Sequence, residues 1–138
     1  MTKVLFMCLA NTARSQMAEV LLRASGGDRF EAYSAGFHPR EIDPMTIAVM
    51  EESGFDMSGQ RAKDLGEYLG KVHFGYVIIL CERAEAECPK TFPGMGTRLL
   101  WPFEDPVSFD GSDEERLEKF RQVRDAIEAH LQEWLRTH

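Results

Sequence analysis

Residues 3–24 read KVLFMCLANTARSQMAEVLLRA, and a strand, a loop and a helix follow one another inside that stretch. Residues 3–8 form a continuous apolar run after one lysine, the pattern of a strand buried on both faces. Over residues 15–24 the apolar side chains Met17, Val20, Leu21 and Ala24 recur at helical spacing, and Gly26-Gly27 stops the helix. Between them, residues 9–14 carry Asn11, Thr12 and Arg14 in a short loop.

The alternation continues along the chain. Residues 30–34 are a short strand candidate. Asp43-Pro44 opens a second helix through Ser53, with Gly54 as its stop. Residues 62–69 read as a short helix, residues 76–80 as the clearest buried strand, and residues 99–101 as a final strand. Residues 112–136 form a long amphipathic helix. Ser112 caps it, Glu115 stands three residues on, and Leu117, Phe120, Val123, Ile127, Leu131 and Trp134 make the apolar stripe. Strands alternating with helices predict an α/β fold with a parallel sheet covered on both faces. Ligands of such sheets bind at the carboxyl ends of the strands, where the strand order switches. Cys8 ends the first strand and Cys81 follows the strand at 76–80. If those strands are neighbours, both thiols open onto one crevice.

Composition narrows the function classes. The 138 residues are 43% hydrophobic and 28% charged, an ordinary globular balance that fits one domain over residues 1–138. No apolar run approaches the roughly 20 residues of a membrane span. The run at 4–10 meets Asn11, Thr12, Arg14 and Ser15 where a signal peptide would carry a small-residue cleavage site, so it reads as a strand and the expected location is the cytoplasm. A net charge of -7 argues against a nucleic-acid partner, which normally meets a basic face. It leaves a small anion open, because pockets hold anions through local dipoles. The three cysteines are an odd number, which points to reactive thiols ahead of a disulfide framework. The four histidines are scattered without metal-ligand spacing.

The segment Cys8, Leu9, Ala10, Asn11, Thr12, Ala13, Arg14, Ser15 lies where a strand hands over to a helix. Such a loop turns successive backbone amides inward as a nest for an oxyanion, and the helix adds its positive end. Arg14 has the planar fork to grip two anion oxygens. The same groups favour a thiolate at Cys8, and the Ser15 hydroxyl is placed to donate to it. The plain alternative is a buried strand-end cysteine, a surface arginine and a capping serine.

Residues 8–19, CLANTARSQMAE, resemble the phosphate-binding signature of the low-molecular-weight protein tyrosine phosphatase superfamily. Residues 33–36 (YSAG) and 104–106 (EDP) fall where that superfamily has matching segments. The resemblance spans essentially the whole chain and implies a single three-layer domain, a four-stranded parallel sheet flanked by helices. Ala10 and Pro102 stand where relatives often carry Gly.

Two reactions share that loop, phosphate ester hydrolysis and arsenate reduction, and the other cysteines discriminate between them. Cys81 and Cys88 are spaced C-x6-C after a strand, which resembles the thioredoxin-coupled arsenate reductase branch. Taken alone they are also readable as two small buried hydrophobes. The intervening segment is rich in helix formers, and seven helical residues rise about 10.5 Å. A disulfide needs Cα atoms within about 7 Å. If Cys81 and Cys88 pair, that helix must unwind.

The resemblance implies a relay: Cys8 attacks arsenate, Asp105 is the general acid, Cys81 attacks Cys8, and Cys88 attacks Cys81. The resulting disulfide is then reduced by thioredoxin, with glutaredoxin as the alternative donor. The function implied is arsenic detoxification without a tightly bound cofactor. Asp105-Pro106 is otherwise a common turn, and no Tyr follows the acid within Val107-Ser108-Phe109. In some reductase relatives a potassium ion binds beside the loop; Asn11, Glu19, Ser34 and Asp64 match the positions that supply that site. Otherwise Glu19 and Asp64 are ordinary helix residues and Asn11 stabilises the loop through its side chain. A phosphatase whose Cys81 and Cys88 regulate Cys8 by oxidation, and a non-catalytic oxyanion-binding regulator, are the competing functions.

Overall fold

A computed structural model describes residues 1–87 and 94–138. Four strands, β1 (Thr2–Cys8), β2 (Phe30–Gly36), β3 (Phe74–Ile79) and β4 (Met95–Leu100), form one parallel sheet in the order β2-β1-β3-β4. The helices are α1 (Arg14–Ser25), α2 (Pro44–Glu52), α3 (Glu82–Glu87) and α4 (Asp113–Thr137), with a 3-10 turn at Leu65–Glu67. The chain leaves β1 toward β2 on one side and returns to β3 on the other. The switch in strand order therefore lies at the carboxyl ends of β1 and β3.

β1 is central because every residue from Val4 to Met7 is fully buried. The strand's period of two divides that run between two cores. Val4 and Phe6 pack with Ile78 and Leu80 against α1 and α4, while Leu5 and Met7 pack with Val77, Ile79, Leu65 and Phe74 on the opposite face. The first core is deep. α4 contributes Phe120, Val123, Ile127, Leu131 and Trp134 to it, each worth about 1.5–3 kcal/mol of burial. The second face is covered more thinly, by the 3-10 turn, α3 and the Tyr33–Tyr68–Phe74 aromatic cluster.

The predicted α/β fold with a four-stranded parallel sheet is present, with some elements placed differently. Ser112 and Glu115 close the predicted capping box of α4, and Asp43 caps α2 through Met45 N–H. The last strand begins four residues before the predicted one. Residues 95–98 are a half-exposed edge carrying Gly96 and Arg98, so no apolar run announces them. The predicted helix at 62–69 shrinks to a 3-10 turn. Its first residues are extended, because Gly36 N–H donates to the Lys63 carbonyl (2.9 Å) and Gly36 bridges Asp64 as a continuation of the sheet.

Candidate active site

Cys8 ends β1, and the chain then curls through residues 9–13 before α1 begins. The carbonyls of that curl are all engaged by neighbours. Leu9 O accepts from His38 N (2.9 Å), Ala10 O from Arg40 N (3.1 Å), Thr12 O from Asp43 N (3.1 Å) and Ala13 O from Met17 N (2.9 Å). The Thr46 hydroxyl also donates to Thr12 O (2.9 Å). Asn11 O accepts from Gln16 Nε2 (3.2 Å). In a trans peptide each carbonyl points opposite to the amide that follows it. Tying down the carbonyls of 9–13 therefore turns the amides of 10–14 to the concave side of the loop. Asn11 has φ 56°, the left-handed conformation that inverts a peptide and that Asn tolerates better than most residues. α1 has no side-chain cap at its first turn, which leaves its positive end for an anion.

Behind the loop lies a buried polar cluster. Asn11 Oδ1 accepts from Gln16 Nε2 and from the Lys63 amide, both at 2.9 Å, which fixes which way the Asn11 amide points. Its Nδ2 then donates to Ser15 Oγ (2.7 Å) and Ser34 Oγ (3.1 Å). The Ser34 hydroxyl in turn donates to Glu19 Oε1. Ser15 Oγ accepts from Asn11 and lies 2.8 Å from Cys8 Sγ, within hydrogen-bond reach of the sulfur. The contact expected between Ser15 and Cys8 is present. Tyr68 borders this cluster; burial, and next the charge of Glu19, push its phenol up to about 12, so it stays neutral.

Arg14 reaches across the cleft. Its Nη1 donates to Phe103 O (2.9 Å) and its Nη2 stands 3.9 Å from Asp105 Oδ2. Asp105 accepts from Val107 N (3.0 Å) and from the Ser108 hydroxyl (2.7 Å), a turn that presents its carboxyl to the cleft. Cys81 lies just past β3, two residues beyond the pairing of Ile79 with Met7. It is 7% exposed, and its sulfur accepts from Ala84 N (3.4 Å) at the start of α3. Cys8 and Cys81 are unpaired thiols. A cleft of about 780 Å³ joins them, lined also by Leu9, Ala10, Thr12, Ala13, Arg14 and Asp105.

The structure thus brings together Cys8, residues 9–14, Ser15, Cys81 and Asp105. Cys88 lies outside the described residues. Of the four residues matched to a potassium site, Asn11, Glu19 and Ser34 converge. Asp64 does not: it is exposed, and its carboxylate caps the 3-10 turn through Gly66 N–H (2.7 Å). The Lys63 ammonium already sits on Glu19 Oε1 (3.1 Å). These residues fit a lysine and do not fit a bound potassium ion. Lys63 and Gln60 carry no periodic or motif signal in the sequence; Gln16 lies inside the 8–19 signature, but only the tertiary fold shows that it bonds Asn11 and the Arg61 carbonyl.

The chain matches the model of the low molecular weight phosphotyrosine protein phosphatase family over residues 3–138. It is 36% identical to an arsenate reductase of Halalkalibacterium halodurans over 135 residues, 97% of this chain and 95% of that protein. A solved arsenate reductase in its oxidized state superposes with a TM-score of 0.82 at 29% identity, covering 99% of this chain and 98% of the other. A thioredoxin-dependent arsenate reductase of Corynebacterium glutamicum superposes at 0.68 with 26% identity, covering 99% of this chain and 62% of that one. The chain belongs to the low molecular weight phosphotyrosine protein phosphatase family.

Proposed function

We propose that this member of the family is an arsenate reductase, converting arsenate to arsenite with electrons supplied by thioredoxin. The observation that carries the reading is the pair Cys8 and Cys81, two buried thiols at the carboxyl ends of adjacent strands, lining one cleft with an oxyanion loop. Phosphate ester hydrolysis needs the loop, Cys8, Arg14 and an acid; it has no use for a second buried thiol there.

The chemistry runs as follows. Arsenate docks on the amides of 10–14 and on Arg14, whose fork releases the Phe103 carbonyl to take two oxygens. The Cys8 thiolate attacks arsenic and a hydroxide leaves as water, protonated by Asp105. Cys81 attacks the Cys8 sulfur. The sulfur–arsenic electron pair passes to arsenic, which departs as arsenite, and a Cys8–Cys81 disulfide remains. Cys88 attacks Cys81, frees Cys8 and leaves Cys81–Cys88. A thioredoxin dithiol, or alternatively a glutaredoxin, reduces that bond with the same two electrons. Those last thiols are separated by α3, so the helix unwinds when they pair. The reaction uses no tightly bound cofactor. It belongs in a reducing compartment, the cytoplasm, and no helix among the described residues is long and apolar enough to cross a membrane.

NADPH oxidation with arsenate, thioredoxin and thioredoxin reductase tests the reading. The wild-type chain turns over; Cys88→Ser gives one equivalent of arsenite per enzyme and then stops. Undiminished steady-state turnover in Cys88→Ser refutes the relay. Absence of arsenate-dependent oxidation, with para-nitrophenyl phosphate hydrolysed steadily, returns the chain to the phosphatases.

A further inference from the structure

Glu19 is a carboxylate with 6% of its side chain exposed, and Lys63 meets it with 8% exposed. Burying two charges is costly unless geometry and further hydrogen bonds compensate. Here they do. Lys63 Nζ donates to Glu19 Oε1 (3.1 Å) and to the Arg61 carbonyl (2.9 Å). Glu19 also accepts from Ser34, from Gln60 Nε2 (3.3 Å) and from Arg23. Lys63 is joined to the loop a second time, through its amide on Asn11 Oδ1 (2.9 Å). One continuous path runs from the Lys63 ammonium through Glu19, Ser34, Asn11 and Ser15 to the Cys8 sulfur. Glu19 accepts from both Lys63 and Ser34 on one oxygen, so the lysine sits one hydrogen bond from the serine that supports Asn11.

We propose that Lys63 is the resident cation of this loop. Its ammonium takes the place of a bound monovalent metal ion on Glu19, holds the Ser34–Asn11–Ser15 chain in place against Cys8, and makes oxyanion binding independent of potassium. Lys63 is a positioning residue: it acts through Glu19 and Asn11 and touches neither substrate nor sulfur. The inference rests on the reductase reading only for the identity of the natural anion.

The test uses the reduced full chain and inorganic phosphate as probe, in KCl, NaCl or choline chloride at one ionic strength. Calorimetry gives phosphate affinity, and mass spectrometry of the Cys8 peptide gives its rate of iodoacetamide alkylation at pH 7. The wild-type values are the same in all three salts. Lys63→Met, which fills the space without charge, lowers both about tenfold in every salt, the scale of one charge-assisted hydrogen bond. Lys63→Ala, which leaves room, loses as much in choline and recovers in KCl. A wild-type chain that weakens in choline, an unaltered Lys63→Met, or a Lys63→Ala indifferent to potassium overturns the proposal. Should Lys63→Met alone not fold, the double variant E19Q/K63M must fold, since it removes both buried charges together; a double variant no more stable than the single one overturns it equally. A chain inert toward arsenate that keeps this salt behaviour sinks the reductase reading and leaves the role of Lys63 standing.

Discussion

The loop wall of the cleft and the α3 wall face each other across Cys8 and Cys81, and they are held by different means. Residues 9–13 are pinned through their carbonyls, and behind them Asn11, Ser15 and Ser34 are fully buried with their hydrogen bonds made. α3 is six residues long, with Glu82, Arg83, Ala86 and Glu87 exposed. Its ties among the described residues are Ala84 packed in the second core, the Ala84 N–H on Cys81 Sγ, and an exposed His38–Glu87 pair at 2.9 Å. Gripping a tetrahedral anion needs fixed donors. Passing a disulfide along needs sulfurs that change partners. On the proposed relay, one cleft answers both demands by pairing a firmly held wall with a lightly held one.

The sharpest way to separate the walls is Arg14→Lys. It removes the planar fork from the rigid side and lowers kcat/KM for arsenate by about 10²–10³, as expected for loss of one transition-state oxyanion donor. Steady-state kinetics check it, and a loss below tenfold would mean that the amides alone carry the anion. Next comes matched damage to the two walls. A Cβ at Gly36 would lie 2.9 Å from both Asn11 N and Leu9 O, so Gly36→Ala pushes directly on the loop and costs about 1–3 kcal/mol. Ala86→Gly on the exposed side of α3 costs at most about 1 kcal/mol, the helix-propensity term. Urea denaturation of the pair decides; equal losses would erase the contrast.

The smallest effect lies at the edge of the rigid wall. A hydrogen bond from Arg61 holds the Glu67 carboxyl below its ordinary 4.5, against the opposing cost of burial and with their mutual attraction adding to the bond. A carboxyl lowered on folding stabilises the fold above its unfolded value, and that contribution disappears as pH falls through the folded value. The thermal midpoint of Glu67→Gln is therefore slightly below wild type at neutral pH, and the two converge on acidification through the range below pH 4.5. A gap that widens in acid would contradict the assignment.

How far the sequence reaches follows the same division. β1, the loop and α1 are legible because each obeys a local rule: a two-faced apolar run, polar residues at a strand-to-helix junction, helical spacing after it. Capping chemistry likewise marks α2 and α4. Asn11 was readable as a loop stabiliser because Asn side chains bond backbone nearby. Lys63 was not. A lone lysine between a loop and a turn looks like any surface lysine, and only the bridge from Gly36 to Asp64 draws it inward. β4 hid for the opposite reason, an edge strand whose half-exposed face needs no apolar code. Cys88 keeps its role from spacing and resemblance alone.

The outward-tied carbonyls of residues 9–13 carry one more consequence, for selectivity. A cradle already in its final shape measures only size, charge and tetrahedral form, and phosphate matches arsenate in all three. Docking therefore admits both, and phosphate competes for the seat. On the proposed relay, discrimination is postponed to the step after binding, where the Cys81 thiol displaces arsenite from the Cys8 sulfur but meets no reducible centre in phosphate.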